Sequence, residues 1–250
     1  MKRVCKGIAP QTLSDYAAAN PQGTWEQMRD ESNQAVNDCQ NQAMRDQGNL
    51  CAYCEQRISL DGSRRRQIEH FHPKSDKSET HNWELDWNNM LAVCDGGKGD
   101  KENYQLPQNL SCDARKLDYK GYLLNPLEIP AYPNLFALDK SNGHLKANEV
   151  NCAAVEISGN EYATTSELVN YTIEILNLNC DRLVERRLQL VWNIEHNIKT
   201  IRDKGFSPSA LPAKLIPRYF GYKWPEFFTT LRFCLGTAAE EYLKSIDYCG

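Results

Sequence analysis

The chain has 250 residues and a formal net charge of −4, with 41% hydrophobic and 25% charged residues. This length and balance fit a globular protein that buries a core without disulfides, and the charge argues against a strongly basic nucleic-acid binder. No segment approaches the ~20 apolar residues that span a bilayer, and no apolar run follows the first charged residues. No membrane association and no secretory signal are therefore expected, and the predicted location is the cytoplasm.

Residues 1–50 are predicted to be helical. Thr24 is expected to cap one helix that carries Trp25 and Met44 on its apolar face and ends near Gly48. The side chains between the apolar positions are heavily polar, so this helix is expected to expose one face to solvent.

Residues 51–120 form an irregular segment with clusters of Gly, Asn, Asp and Lys and only short apolar runs. Within it, Gln67–His70 is predicted to be a short strand, and Trp87–Val93 is predicted to begin a short helix or turn. Such a segment would struggle to build a core of its own, and a structural metal would remedy this.

Residues 121–250 are predicted to hold a β-hairpin and several helices. The hairpin spans 135–147 around a Gly-bearing turn. Helices are expected from Thr165, from an Asp181 cap to near Gly205, and from Pro225 through Leu243. The predicted fold class is α+β, with a metal-braced core at 51–120 between a helical N-terminal segment and a mainly α-helical C-terminal region.

Four of the ten cysteines have the spacing and context of metal ligands. Cys51 and Cys54 form a C-x-x-C turn that lets two thiolates reach one tetrahedral ion, and Cys94 and Cys112 are candidates for the second pair. The residues between Cys94 and Cys112 depart from the usual second C-x-x-C. A structural Zn²⁺ is predicted here, and a redox pair at Cys51 and Cys54 is the alternative.

Groups suited to phosphodiester hydrolysis fall inside the same segment. A histidine can deprotonate water near neutral pH, and an ion held by oxygen ligands can neutralise charge at phosphorus. Glu69 and His70 are adjacent, Pro73 follows, and Asn89 precedes Cys94 by five residues.

With the run Cys112 to Lys116, these motifs make residues 51–116 resemble the HNH endonucleases of the ββα-metal fold. The resemblance implies that His70 is the general base, that Glu69 and Asp113 bind the catalytic ion, that Asn89 orients His70 or completes the site, and that Lys116 contacts phosphate. Asp113 stands where this family usually has His or Asn, which favours a hard ion such as Mg²⁺ or Mn²⁺.

A narrower resemblance covers more of the chain. The motifs are Cys51–Glu55, Ile68–Ser75, Trp87–Leu91, Leu124–Pro126 and Ile175–Asn179. Their order is similar to the HNH subunit, of the PtuB type, of Septu and retron-associated anti-phage systems. This resemblance implies an ABC/SMC-like ATPase partner of the PtuA type and defence by cleavage of nucleic acid, with phage DNA as the expected target.

Several further residues keep two interpretations. His72 is either a further catalytic side chain or one that the end of the strand before Pro73 directs elsewhere. Trp83 and Trp87 would either stack on bases or pack in the core. The cations of the segment form either a solvated loop or a phosphate-facing rim: Arg64, Arg65, Arg66, Lys74, Lys77, Lys98, Lys101, Arg115, Lys116 and Lys120.

The function predicted from these observations is a metal-dependent endonuclease. The alternative is a non-catalytic, zinc-braced adaptor that links a partner ATPase to nucleic acid. The adaptor hypothesis predicts no dependence on divalent ions and no loss of function when Glu69 is replaced by Ala.

Overall fold

The computed structural model describes residues 1–59, 67–76, 80–117, 119–207, 210–221 and 224–250. Arg64, Arg65, Arg66 and Lys77 of the predicted cationic rim lie outside these ranges. The chain is a mixture of short strands and helices, with two two-stranded antiparallel sheets in the described part.

The N-terminal third forms helices α1 (Gln11–Ala19), α2 (Trp25–Glu31) and α3 (Asn33–Asp46). Thr24 caps α2 as predicted, and the side-chain oxygen of Gln27 accepts a hydrogen bond from the backbone N–H of Thr24, which completes a capping box. The prediction of one continuous helix to Gly48 was wrong. Ser32 leaves the helical conformation, and its hydroxyl accepts a hydrogen bond from the backbone N–H of Ala35, which starts α3.

The middle segment contains strands β1 (Gln67–His70) and β2 (Met90–Val93), joined by a long connection, and the single-turn helix α4 (Asp113–Lys116). The strand at Gln67–His70 is confirmed. Trp87 begins a 3-10 turn as predicted, but the following residues are β2, which pairs with β1 so that Glu69 faces Leu91 and His70 faces Met90. Helix α3 packs on this small sheet.

The hairpin predicted at 135–147 is confirmed as β3 (Phe136–Asp139) and β4 (His144–Ala147). The helices that follow are α5 (Glu149–Cys152), α6 (Thr165–Ile175), α7 (Asp181–Asp203), α8 (Leu211–Phe220), α9 (Phe228–Leu235) and α10 (Thr237–Ser245). Helix α6 packs on β4, and α9 packs on β3.

Two helix boundaries differ from the predictions, and one helix was not predicted. Cys180, not Asp181, is the N-cap of α7. The single helix expected from Pro225 is two helices, because Gly236 adopts a positive φ of 54° and breaks the chain between α9 and α10. Helix α8 was not predicted, since its two prolines suggest a loop; Pro212 lies in the first turn, where its missing N–H costs nothing.

One hydrophobic core runs through all three predicted segments. Buried Leu13 and Met28, Leu91 and Val93, and the later residues Leu124, Leu168 and Leu183 belong to the same cluster. A second cluster gathers α8, α9 and α10 against α7 through residues such as Ile194, Phe228 and Leu243. The segment boundaries at 50 and 120 stay a prediction. Within the described ranges, none of the helices combines the length and the apolar character needed to cross a bilayer.

Candidate active site

The four predicted cysteine ligands converge on one point. Cys51 and Cys54 lie in a tight turn, Cys94 directly follows β2, and Cys112 directly precedes α4. Sulfur-to-sulfur distances are 3.8 Å for Cys51–Cys112, 3.7 Å for Cys54–Cys94 and 3.9 Å for Cys94–Cys112. A tetrahedral ion with metal–sulfur bonds of ~2.3 Å places its sulfurs about 3.8 Å apart.

These four thiols, which we call the cysteine cage, therefore fit a zinc ion. All four side chains are buried and their sulfurs lie within 4.8 Å of one another. The insertion between Cys94 and Cys112 returns to the cage because the backbone N–H of Ser111 donates to the carbonyl of Gly96 at 3.0 Å. A redox pair needs only two thiols, so the four-sulfur arrangement favours the metal over the alternative.

Arg182, near the start of α7, lies beside the cage and was missed by the sequence analysis. Its guanidinium is buried and donates to the side chains of Gln56 at 2.6 Å and Ser111 at 2.8 Å. Burial acts to lower the pKa of Arg182, but the surrounding cysteines, Cys54 first, hold that pKa above its usual value. A fixed positive charge here offsets the charge of a thiolate cage. Nothing local in the sequence marks Arg182, because its partners lie far away along the chain.

The cage fixes α4 against the β1–β2 sheet, and a cleft of about 480 Å³ opens between them. Its lining includes Glu69 and His70 from β1 and Asp113 and Lys116 from α4. The structure thus brings together four of the five side chains to which the resemblance assigned catalytic or phosphate-binding roles. Trp25, Lys74 and Lys98 also contribute to its walls.

Two carboxylates share this cleft. Glu69 is buried, and Tyr53 donates to it at 3.3 Å. Burial raises the pKa of Glu69 to about 8; Lys116 opposes this rise, and the neighbouring carboxylate of Asp113 adds to it. A buried and a half-buried acidic group that line one cleft favour a bound cation, and their oxygen donors suit Mg²⁺ or Mn²⁺.

His70 is held in one orientation. Its Nε2 lies 3.0 Å from the backbone carbonyl of Glu84, and because a carbonyl only accepts, Nε2 carries the proton and Nδ1 keeps a lone pair. Burial lowers the pKa of His70 to about 4, so the ring is neutral at pH 7. The indole of Trp25 packs edge-on against it at 5.2 Å. A neutral imidazole with a free lone pair is suited to accept a proton.

Asn89 does not line the cleft, and its side chain is hydrogen-bonded to the backbone of the chain that follows β1. Its side-chain oxygen accepts from the backbone N–H of His72 at 2.6 Å, and its amide group donates to the carbonyls of His72 at 3.0 Å and Trp83 at 2.8 Å. The expected contact with the His70 ring is not among these bonds. Asn89 instead ties together the two ends of the connection that follows β1.

Lys116 makes contacts within the protein that the sequence analysis did not predict. Its ammonium is buried and donates to Glu69 Oε1 at 2.6 Å, to the carbonyl of Phe71 at 2.9 Å and to that of His70 at 3.4 Å. Since an ammonium has three protons, these acceptors engage its whole donor capacity. A phosphate contact by Lys116 stays a prediction, and the position of the side chain is that of a support for Glu69.

The remaining candidates, His72, Trp83 and Trp87, do not line the main cleft. The His72 ring is hydrogen-bonded to Asp76 at 2.6 Å and packs at a tilt against Trp83, with ring centroids 4.1 Å apart, next to a hollow that neighbours the main cleft. Trp87 is buried and donates to the carbonyl of Gly7, as expected of a core residue. His72 therefore does not line the cleft that holds Glu69 and Asp113.

Comparison with known proteins gives one clear relationship. No protein-family model matches the chain. An Escherichia coli protein named "Retron Ec83 putative HNH endonuclease" is 37% identical over 209 residues, which cover 78% of this chain and 81% of the relative. The similarity extends over most of both chains and so is not confined to the cysteine-rich segment.

Proposed function

Because this chain belongs to the family of retron-associated HNH endonucleases, we propose that it hydrolyses phosphodiester bonds of nucleic acid in the cleft that Glu69, His70 and Asp113 line. In this proposal the cysteine cage holds a structural zinc, and β1, β2 and α4 act as a ββα-metal core. Glu69 and Asp113 hold Mg²⁺ or Mn²⁺. When bound, that ion supplies charge neutralisation at the phosphate and at the departing 3′-oxygen.

His70 performs the proton transfer. Its Nδ1 takes a proton from a water molecule, which attacks phosphorus in line with the 3′-oxygen and leaves a 5′-phosphate. The carbonyl of Glu84 keeps the Nε2 proton in place, so Nδ1 stays the accepting nitrogen. Lys116 keeps the Glu69 carboxylate in position, and Asn89 keeps the chain after β1 in place.

The observation that carries this proposal is the neutral, oriented His70 on the wall of a cleft that also holds two acidic side chains. An adaptor has no need of that combination. DNA is proposed over RNA on the resemblance alone, so the test includes both.

The test compares wild type with His70→Ala, using His144→Ala as the matched control because His144 is exposed on β4, outside the cleft. Plasmid DNA and RNA are incubated with each protein in Mg²⁺, in Mn²⁺ or in chelator. The expected result is ion-dependent cleavage by wild type and by His144→Ala, and none by His70→Ala at unchanged zinc content and melting temperature. Full cleavage by His70→Ala removes the histidine from the mechanism, and activity in chelator removes the catalytic ion.

We further propose that the enzyme is the effector of an anti-phage system in the cytoplasm and works with an ABC/SMC-like ATPase of the PtuA type. The support is the order of motifs from Cys51 to Asn179 and the retron name of the relative. A thiolate cage also suits a reducing compartment. The test is phage plating on cells that carry the complete operon: His70→Ala should abolish protection, and a tagged chain should co-purify the ATPase. Normal protection by His70→Ala would contradict the effector role.

A further inference from the structure

Three lysines line the cleft, and two of them are neutralised within the protein. Lys116 is paired with Glu69 as described above. The ammonium of Lys74 lies 2.5 Å from the carboxylate of Glu26. Lys98, the third, is exposed, and its side chain makes no ion pair or hydrogen bond with any residue in the described ranges.

The backbone that carries Lys98 is firmly held. Lys98 begins a 3-10 turn, and the carboxylate of Asp95 accepts from the backbone N–H groups of Gly97 and Gly99, both at 3.1 Å. These two bonds flank Lys98 on either side. The turn is part of the insertion between Cys94 and Cys112, so the cysteine cage anchors both of its ends.

Arg182 supports the same turn from beneath. Gly97 has a φ of 91°, and a Cβ there would lie 2.6 Å from Nε of Arg182, so only glycine fits. Nε of Arg182 also lies 3.5 Å from the carboxylate of Asp100 at the end of the turn. Lys98 thus combines a fixed backbone with an exposed ammonium, unpaired among the residues that the structure describes, at the edge of the cleft.

We propose that Lys98 binds a backbone phosphate of the nucleic-acid strand next to the scissile phosphate. This inference rests on the proposed function and deepens it, because it adds at Lys98 a phosphate contact that the proposed mechanism does not contain. A phosphate next to the reacting group is bound equally in the ground state and the transition state. The contact therefore contributes to substrate binding and leaves the chemical step unchanged.

The experiment uses the full chain with Lys98→Ala, Lys98→Arg and, as the matched control, Lys101→Ala, since Lys101 is exposed three residues away but does not line the cleft. Steady-state cleavage should show KM raised about tenfold by Lys98→Ala with kcat nearly unchanged, as expected for the loss of one charged hydrogen bond. Lys98→Arg should restore most of the loss, and Lys101→Ala should match wild type.

A second measurement does not depend on cleavage. Binding of a short fluorescein-labelled DNA duplex, and of RNA of the same sequence, is measured at several salt concentrations with the His70→Ala protein and with His70→Ala/Lys98→Ala. Removing Lys98 should weaken binding and reduce the slope of log Kd against log salt by about 0.7–0.9, which is the loss of one phosphate contact.

The outcomes separate the two proposals. If no version cleaves but the salt slope still falls on removal of Lys98, the hydrolytic function fails and the phosphate contact stands. If cleavage is present and Lys98→Ala behaves like Lys101→Ala in both measurements, the contact is refuted and the hydrolytic function stands. If no version binds nucleic acid, both are refuted.

Discussion

The ammonium of Lys116 lies 2.6 Å from Oε1 of Glu69, with side-chain exposures of only 3% and 9%. Removing one partner of a buried ion pair leaves the other charge unpaired, at a typical cost of about 3–5 kcal/mol. We therefore expect Lys116→Met to lower the free energy of unfolding when Mg²⁺ and Mn²⁺ are absent, measured by urea denaturation at pH 9, above the pKa of about 8 that Glu69 has beside Lys116.

The double variant Lys116→Met/Glu69→Gln serves as the control, because it leaves no unpaired charge. It should recover part of the stability that Lys116→Met loses. A double variant that is no more stable than Lys116→Met would show that packing, rather than charge, accounts for the loss. Both variants should be inactive in cleavage.

The three hydrogen bonds of Asn89 distinguish a structural amide from a metal ligand. Asn89→Asp keeps the shape of the side chain but turns an oxygen towards the carbonyls of His72 and Trp83. Because two buried acceptors then face a third, Asn89→Asp should destabilise the protein at least as much as Asn89→Ala, at about 1–3 kcal/mol for each unsatisfied group. Thermal unfolding provides the measurement. An Asn89→Asp variant with full stability and activity would indicate that Asn89 binds the catalytic ion directly.

The cysteine cage predicts one zinc per chain and a fold that depends on it. Cys54→Ser should lose zinc by elemental analysis and lose the ordered environment of the segment around β1, β2 and α4, since structural zinc contributes about 10–16 kcal/mol of binding free energy. Cys39→Ser is the matched control, because Cys39 is buried in α3 outside the cage. Equal zinc content in the two variants would exclude the cage as the metal site.

Lys6, in the segment before α1, makes the free energy of unfolding depend on pH. The ammonium of Lys6 lies 3.2 Å from the ring centroid of Trp87 and donates to the carbonyl of Met90 in β2. Burial lowers the pKa of Lys6 from 10.5 to about 7. Between these values the unfolded chain binds more protons than the folded one, so this residue makes stability rise as pH increases from 7 towards 10, by up to about 1.4 kcal/mol per pH unit.

Lys6→Met retains most of the side chain and removes this titration. The stability difference between wild type and Lys6→Met should therefore shift in favour of wild type as pH increases from 7 to 9. Unfolding free energies measured at the two pH values test this. A difference that does not change with pH would show that Lys6 has an ordinary pKa in the folded protein.

Local signals in the sequence predict the parts of the fold that local physics decides. The strand at Gln67–His70, the hairpin at 135–147 with its Gly-bearing turn and the cap at Thr24 each depend on neighbouring residues, and the structure confirms them. The break at Ser32 is different. The helical apolar pattern continues across Ser32 and favours one helix, whereas the Ser32 hydroxyl favours a new helix start by capping α3. The sequence alone does not show which of these two preferences prevails.

In the candidate site, too, local features are predictable from the sequence and long-range contacts are not. The residue types that line the cleft are recognisable from their motif, but their hydrogen-bond partners are not. The motif predicts a phosphate contact for Lys116 but does not specify its ion pair with Glu69, nor the backbone atoms to which Asn89 is hydrogen-bonded. Arg182 reaches Gln56 across 126 residues of chain. Such long-range contacts depend on how whole elements pack, and a motif does not contain that information.

Helix α7 connects two regions that the sequence separates. It runs unbroken for 23 residues, a rod of about 35 Å, with Arg182 against the cysteine cage at one end and Ile194 among the C-terminal helices further along. Residues of one continuous helix therefore contact both the α8–α10 cluster and, through Arg182, the turn that carries Lys98. Any displacement of α7 as a whole would also move Arg182, which packs beneath that turn.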